Sequence, residues 1–306
     1  MSKLLQKNND RNIITVMYKY YKKYVPYLFI LPAAILLFLF FFIPFFETVV
    51  LSFKDYSTDL YSPGFIGLEN YKILLTSKEF YKVICNTLLY LIGAVPVLTI
   101  IPLVLAILIN QKIRCLNLYK VLIYIPVIIS IVVVAIAFKW LYATQGILNY
   151  IAEILGFSAI EWLTSPDVAI WSVIAVTIYK GIGYYMMIYL SALIGAPKEL
   201  LEAADVDGAN LLQKHLNVTI PYLMPTIALV VTVSSISALK VFAEIYVMTR
   251  GGPLDSTKTI VYYIYERAFE NLDLSMASAA SVILLIIVMI FSILNILVFE
   301  RKKYQP

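Results

Sequence analysis

Six stretches of this sequence are each long and apolar enough to cross a bilayer as a helix, which leaves few folds open. They run over about 27–51, 85–109, 119–143, 168–194, 218–240 and 276–299. A helix needs roughly 20 apolar residues to span about 30 Å of hydrocarbon. Open sheet edges are not tolerated in lipid, and unbroken apolar runs lack the two-residue alternation of a membrane barrel. The expected fold class is therefore all-α, a polytopic membrane protein with six transmembrane helices. Composition agrees: 61% of the 306 residues are hydrophobic and 14% charged, against about 45–50% and about 25% in soluble domains.

The first run, Tyr24 to Phe46, has 23 uncharged residues, more than the roughly 7–15 of a secretory signal core. No small-residue cleavage pattern follows it, so it is expected to stay as the first span. Cys85 and Cys115 fall at opposite ends of the second span, about 30 Å apart. A disulfide needs Cα atoms within about 7 Å, so two free thiols are expected.

Lys and Arg give the orientation. The segments before span one, between spans two and three, between spans four and five, and after span six hold 14 of them; the alternate segments hold 7. The bias puts both termini, and the polar gap near residue 200, in the cytoplasm. Trp140, Tyr142, Trp162 and Trp171 mark the outer interface, a depth that suits rings with one wet edge. The modest net charge of +5 suits anionic lipid headgroups and not nucleic acid.

That gap is the most patterned polar stretch. Pro197 and Glu199 suit the first turn of a helix. Leu200, Leu201, Ala203 and Ala204 give a small apolar face, and Glu202, Asp205 and Asp207 an acidic one. Gly208 is the expected breaker at positive φ. A second short helix is expected over Asn210 to Leu216. Two such helices at a glycine corner form a knob able to dock in another protein's groove; from the residues alone, a loop whose charges merely face water remains equally open.

Within the bilayer, Lys180 falls near the middle of the fourth span, where a charge needs a wet cavity or a counter-ion. It either faces a solute path, with Tyr184 and Tyr185 beside it, or pairs with a carboxylate of a partner subunit. Lys139 and Lys240 are expected to snorkel at outer span ends. Thr232, Ser234, Ser235 and Ser237 make the fifth span polar, for packing or for lining the path. Small residues from Ser275 to Ser281 suit close helix contact, and Pro96, Pro102 and Pro126 suggest kinks.

No G-x-x-x-x-G-K-[ST], H-E-x-x-H or G-x-S-x-G pattern occurs, so phosphate-cradle ATP binding, zinc hydrolysis and serine hydrolysis are unsupported. A self-contained secondary transporter would show inverted repeats and membrane-embedded acids, and neither stands out. A non-transporting scaffold would not need the knob.

The polar gap resembles the coupling loop of the membrane subunits of ATP-binding-cassette importers. Pro197, Glu199, Leu200, Glu202, Ala203, Ala204, Asp207, Gly208, Ala209, Thr219 and Pro221 match that pattern; His215 departs from it, standing where a phenylalanine is frequent, and is read as a contact residue. Ser52-Phe53 with Asp55, Gly67 to Tyr71, Asn86-Thr87, Pro126, Gly146 to Asn149, and Thr249-Arg250-Gly251-Gly252-Pro253 with Thr257 are similar to the carbohydrate branch. The resemblance covers residues 52 to 299 nearly continuously. It implies a type I importer permease fold in the bacterial cell membrane: tail 1–26, first helix and external loop 27–81, permease domain 82–299 with coupling loop 195–217, and tail 300–306.

The resemblance further implies a non-enzymatic subunit that binds no cofactor itself, ATP and Mg being used by a partner ATPase. The implied partners are a second homologous permease, two ATPase subunits, an extracytoplasmic solute-binding protein and the lipid bilayer. Glu202, Ala203, Ala204, Asp207, Gly208, Ala209, His215 and Pro221 would couple to the ATPase. Lys180, Tyr184, Tyr185, Ser234 and Ser235 would border the translocation path, and Gly251, Gly252 and Pro253 would face the binding protein. The implied solute is a sugar or oligosaccharide, with a glycerol phosphodiester or another small polar solute as the alternative.

Overall fold

The computed structural model describes residues 21–22, 24–55, 64–111 and 115–301. Most of tails 1–26 and 300–306 therefore lies outside the described residues, as do Lys3, Lys7, Arg11, Lys19, Lys23, Lys112, Arg114, Lys302 and Lys303 of the orientation argument. The chain divides into two units, Met1–Leu51 and Ser52–Pro306. The first contains the helix α1 (Tyr24–Leu51), with a π turn at Phe38–Phe42. Its 28 residues rise about 42 Å at 1.5 Å each, enough to cross the bilayer.

The second unit opens with a short antiparallel pair, β1 (Lys54–Asp55) and β2 (Gly64–Phe65), with Lys54 opposite Phe65. Next come α2 (Glu69–Thr76) and α3 (Lys78–Ile109), the latter capped by the Ser77 hydroxyl, which accepts from the Phe80 N–H. The third span is α4 (Leu116–Ile128) plus α5 (Ile131–Leu141), followed by the short α6 (Ile147–Ile154) outside and the fourth span α7 (Ala169–Ile194). Then come α8 (Lys198–Val206), α9 (Leu211–Lys214), α10 (Ile220–Leu239), α11 (Ala243–Met248), α12 (Ile260–Tyr265) and α13 (Leu274–Arg301). Among the described residues five helices are long and apolar enough to cross a membrane, and six when α4 and α5 count as one span. Five of the six expected spans are present as long apolar helices, and the third is present as the bent pair α4 and α5.

Two details differ from the sequence reading. The third span is not one rod: α4 and α5 meet at 95°, and the two residues between them, Ile129 and Ser130, are extended. The break follows Pro126, whereas α3 runs on through Pro96 and Pro102. The fifth span does not stop near 240. It breaks there and resumes as α11, so the apolar stretch extends from Leu211 to Met248.

The core lies where α3 and α7 cross, with Tyr90, Ala94, Ile170, Val173 and Met186 buried. Without a hydrophobic force between helices in lipid, close approach must come from small residues. Gly183 supplies one such contact, since a Cβ there would overlap the Ile123 carbonyl oxygen of α4. Ala279 and Ala280 of α13 supply another, buried against Leu74, Phe80, Ile260 and Tyr263, as the run of small residues led one to expect. Cys85 and Cys115 are free.

Candidate functional site

At the cytoplasmic side, α8 ends on a glycine corner. Gly208 has φ +76°, its N–H donates to the Asp205 carbonyl at 3.1 Å, and the Ala209 N–H donates to the Ala204 carbonyl at 3.0 Å. These are the two bonds of a Schellman cap, which uses up carbonyls that the helix end leaves free. The next helix starts at once. The Asn210 side chain accepts from the Gln213 N–H while the Gln213 side chain accepts from the Asn210 N–H, both at 2.9 Å, a reciprocal capping box. The second helix is not a separate short element as expected. From α9 it passes through a π turn, His215–Thr219, directly into α10.

The two arms of the corner are tied by Lys214, whose ammonium lies 2.6 Å from Asp205. His215 Nδ1 sits 3.1 Å from the Thr219 hydroxyl, and Tyr222 donates to the Gly195 carbonyl. Pro221 is the second residue of α10. Glu202 and Asp207 are exposed, Ala204 is buried, and Ala203 shares its helical turn. The apolar side chains matter more. Val206 is 87% exposed, and Leu211, Leu212 and Leu216 also project outward. A cluster of exposed apolar side chains beside a polar loop suits contact with another protein or with lipid.

Midway through the bundle, the Lys180 ammonium donates to the Val127 carbonyl at 3.2 Å. Val127 lies in the last turn of α4, whose carbonyls have no partner within the helix. A cation there caps the helix and meets the negative end of its dipole. Tyr184 is exposed and meets buried Tyr185 edge-on at 5.1 Å. Tyr185 lies beside Ser237, which is exposed. Ser234 and Ser235 are buried between helices, and Ser234 donates to the Val231 carbonyl.

The structure adds a partly buried acid that the sequence reading passed over. Glu244 of α11 accepts from the Thr177 hydroxyl at 3.2 Å. Thr177 has one proton to give, so the Tyr90 hydroxyl, 2.5 Å away, must donate to it. The chain Tyr90–Thr177–Glu244 links spans two, four and five. The expectation that no membrane-embedded acid stands out is thus corrected. Lys240 caps α10 at the break, and the apolar stretch goes on past it to Met248. It therefore stands at an internal break and not at the end of the fifth span. The signal for both was a break in the fifth span that apolar periodicity does not reveal.

On the outer side, Gly251 has φ +80° and the Gly252–Pro253 bond is cis. Thr257 donates to the Gly252 carbonyl at 2.9 Å and pairs with Thr249 at 2.7 Å. Asn86 donates to the carbonyls of Asp255 and Lys258, Lys82 donates to that of Leu254, and the Thr87 hydroxyl accepts from the Ile260 N–H. Lys258 is 5% exposed and lies 2.8 Å from Glu266, 2.9 Å from Asp255 and 3.3 Å from Glu79. Arg267 meets the other oxygen of Glu79 at 2.7 Å. Burial alone would lower the Lys258 pKa, but Glu266 and Asp255 outweigh it and push it above the usual lysine range. Among the described residues no three His, Cys, Asp or Glu side chains gather as a metal site.

This arrangement has known counterparts. The chain is 32% identical over 290 residues to a probable ABC transporter permease protein, YurN, of Bacillus subtilis, covering 92% of this chain and 98% of that one. It is also 32% identical over 281 residues to the arabinooligosaccharides transport system permease protein AraP of Bacillus subtilis, covering 90% and 89%. A bacterial ABC transporter involved in import of the acidic polysaccharide alginate has a chain of the same fold, with TM-score 0.82 at 24% identity over 93% of this chain and 98% of that one. Residues 73–303 match the family described as binding-protein-dependent transport system inner membrane component. With its multi-pass helical fold, the chain belongs to that family of permease subunits, in which the ATPase is a separate protein.

Proposed function

We propose that this chain is the transmembrane permease subunit of an importer for a sugar or oligosaccharide and forms half of the translocation pathway. A second homologous permease completes the path. Two ATPase subunits, which use ATP and Mg, dock at residues 198–216, and an extracytoplasmic binding protein delivers solute to the outer loops, Gly251, Gly252 and Pro253 among them. The solute class follows the relatives: one bears the name of an arabinooligosaccharide system, another that of a multiple sugar-binding system in Streptococcus mutans. A bound binding protein is present in a structure of the alginate transporter.

The observation that carries this reading is the continuity of the knob with the fifth span. The capping box and π turn join the docking corner to α10 without a flexible joint, so a push on Val206 or Leu212 moves a membrane helix. Domain gates move as packed rigid bodies of this kind. Glu202, Ala203, Ala204, Asp207, Gly208, Ala209, His215 and Pro221 form or flank the corner. The path passes exposed Tyr184 and Ser237, with Tyr185, Ser234 and Ser235 behind them and Lys180 fixing the hinge of the third span.

Gly208→Asp tests the coupling. A Cβ at Gly208 meets nothing within 4 Å in this chain, so the chain should still insert while uptake and solute-stimulated ATP turnover are lost. Normal uptake by this variant would overturn the coupling role.

A further inference from the structure

A cleft of about 560 Å³ opens between the outer ends of the third and fifth spans. Its size falls in the range of small-molecule sites, about 300–1,000 Å³. The half-buried Trp162 ring, backed by buried Tyr142 with centroids 5.4 Å apart, forms an aromatic wall. Lys139, Thr144, Glu161 and Thr164 bring polar groups to it, and Pro253 closes one side.

Both flanks are preformed. Asn149, 1% exposed, holds the first of them: its amide donates to the carbonyls of Ala143, Thr144 and Ile160, and its oxygen accepts from the Ile160 N–H and the Trp162 indole. The other flank is held by Thr257 on the Gly252 carbonyl. A site already ordered loses little entropy on binding. The polar groups, by contrast, are unspent. Lys139, Thr144, Glu161 and Thr164 are exposed, and their side chains have no bond or ion pair to another described residue.

The combination is specific in its chemistry. A sugar ring has an apolar C–H face and a rim of hydroxyls that both donate and accept. The aromatic wall suits the face; the ammonium, the carboxylate and two hydroxyls suit the rim. A protein partner fits less well, because charged residues are depleted at the cores of protein–protein interfaces. We propose that this cleft is an outer saccharide subsite, holding one or two sugar units of the solute beside the mouth of the pathway. The proposal rests on the importer reading and adds a location that reading does not supply.

The test uses the assembled importer in lipid nanodiscs without its binding protein. Saturation-transfer NMR is run with three probes: arabinotriose, maltotriose and trigalacturonate. At least one should receive saturation on its ring C–H protons. Glu161→Gln with Thr164→Val should weaken that binding about tenfold, the effect of losing one charge-assisted hydrogen bond. Ala143→Trp, which fills the cleft, should abolish it. Transfer to none of the probes, or transfer unchanged in these variants, overturns the subsite. So does loss of ATPase stimulation by the binding protein in the same variants without saccharide transfer, which would make the cleft a protein-docking surface. Failure of the importer reading is separately visible, as an ATPase that no loaded binding protein stimulates even in the unaltered chain.

Discussion

The loops at the two ends of the fifth span solve opposite problems. The outer one, residues 249–273, folds onto its own bundle. It buries a lysine among three carboxylates and is clamped by Lys82, Asn86 and Thr87 of α3. The inner one, residues 195–219, has no buried charged side chain among those described. Two helix caps and the ion pair of Lys214 with Asp205 hold it, and Val206, Leu211, Leu212 and Leu216 are exposed. The first is closed on itself, and the second leaves an apolar surface uncovered. On the proposed reading, the outer loop holds its shape alone, whereas the inner corner is completed only by the motor that docks on it.

The contrast is best attacked at Lys258. Lys258→Met leaves Glu79, Asp255 and Glu266 facing one another without their cation. Removing one partner of a buried pair costs about 3–5 kcal/mol, less where the survivors reach water; these carboxylates are partly exposed, so about 2–4 kcal/mol is expected. Thermal unfolding of the purified importer measures it. The pH dependence follows from the raised pKa. A lysine bound more tightly to its proton in the folded state gives its full contribution below the unfolded value, about 10.4, and loses it only as pH rises through the folded one. Stability from this cluster should therefore hold from pH 7 to about 10.

Gly208→Ala comes next. The residue sits at positive φ, where a Cβ costs about 1–2 kcal/mol. The strain falls on a corner with few other supports, so coupled ATP turnover should drop while the unfolding temperature of the bundle barely moves. A matched fall in both would mean that the knob is as integrated as the outer loop.

What could be read from the sequence follows the range of the forces involved. The six spans were legible because lipid selects length and apolarity, which are local properties. The Gly208 corner was legible for the same reason: its cap bonds lie within five residues. The outer cluster was not, since Lys258 and Glu79 are 179 positions apart and Arg267 and Glu79 are 188 apart. Glu244 escaped because Lys240 ended the apolar run, hiding a helix that resumes beyond the break. Lys180 was found by its depth. Its acceptor, a backbone carbonyl freed by the end of α4, depends on a break that no side-chain pattern announces. Asn86-Thr87 and Asn149 were noticed only as parts of a resemblance, and their task, clamping outer loops through backbone carbonyls and N–H groups, needed coordinates.

The smallest effect discriminates between the loops most sharply. Lys214→Met removes the ion pair joining the two arms of the inner corner. Asp205 is 61% exposed as a side chain, and ion pairs reaching water are worth about 0–1 kcal/mol because solvent screens both partners. The variant should therefore unfold within about 0.5 kcal/mol of the parent, the margin of an ordinary surface substitution. Raised salt should erase even that difference, since the Debye length shrinks to about 3 Å at 1 M. The same salt should leave the Lys258 deficit nearly intact, because its ammonium is shielded from ions by the loop around it. Equal costs at both lysines, or equal salt sensitivity, would mean that the two ends of the fifth span are built alike, and the division between a self-clamped outer loop and an uncovered inner corner would fall.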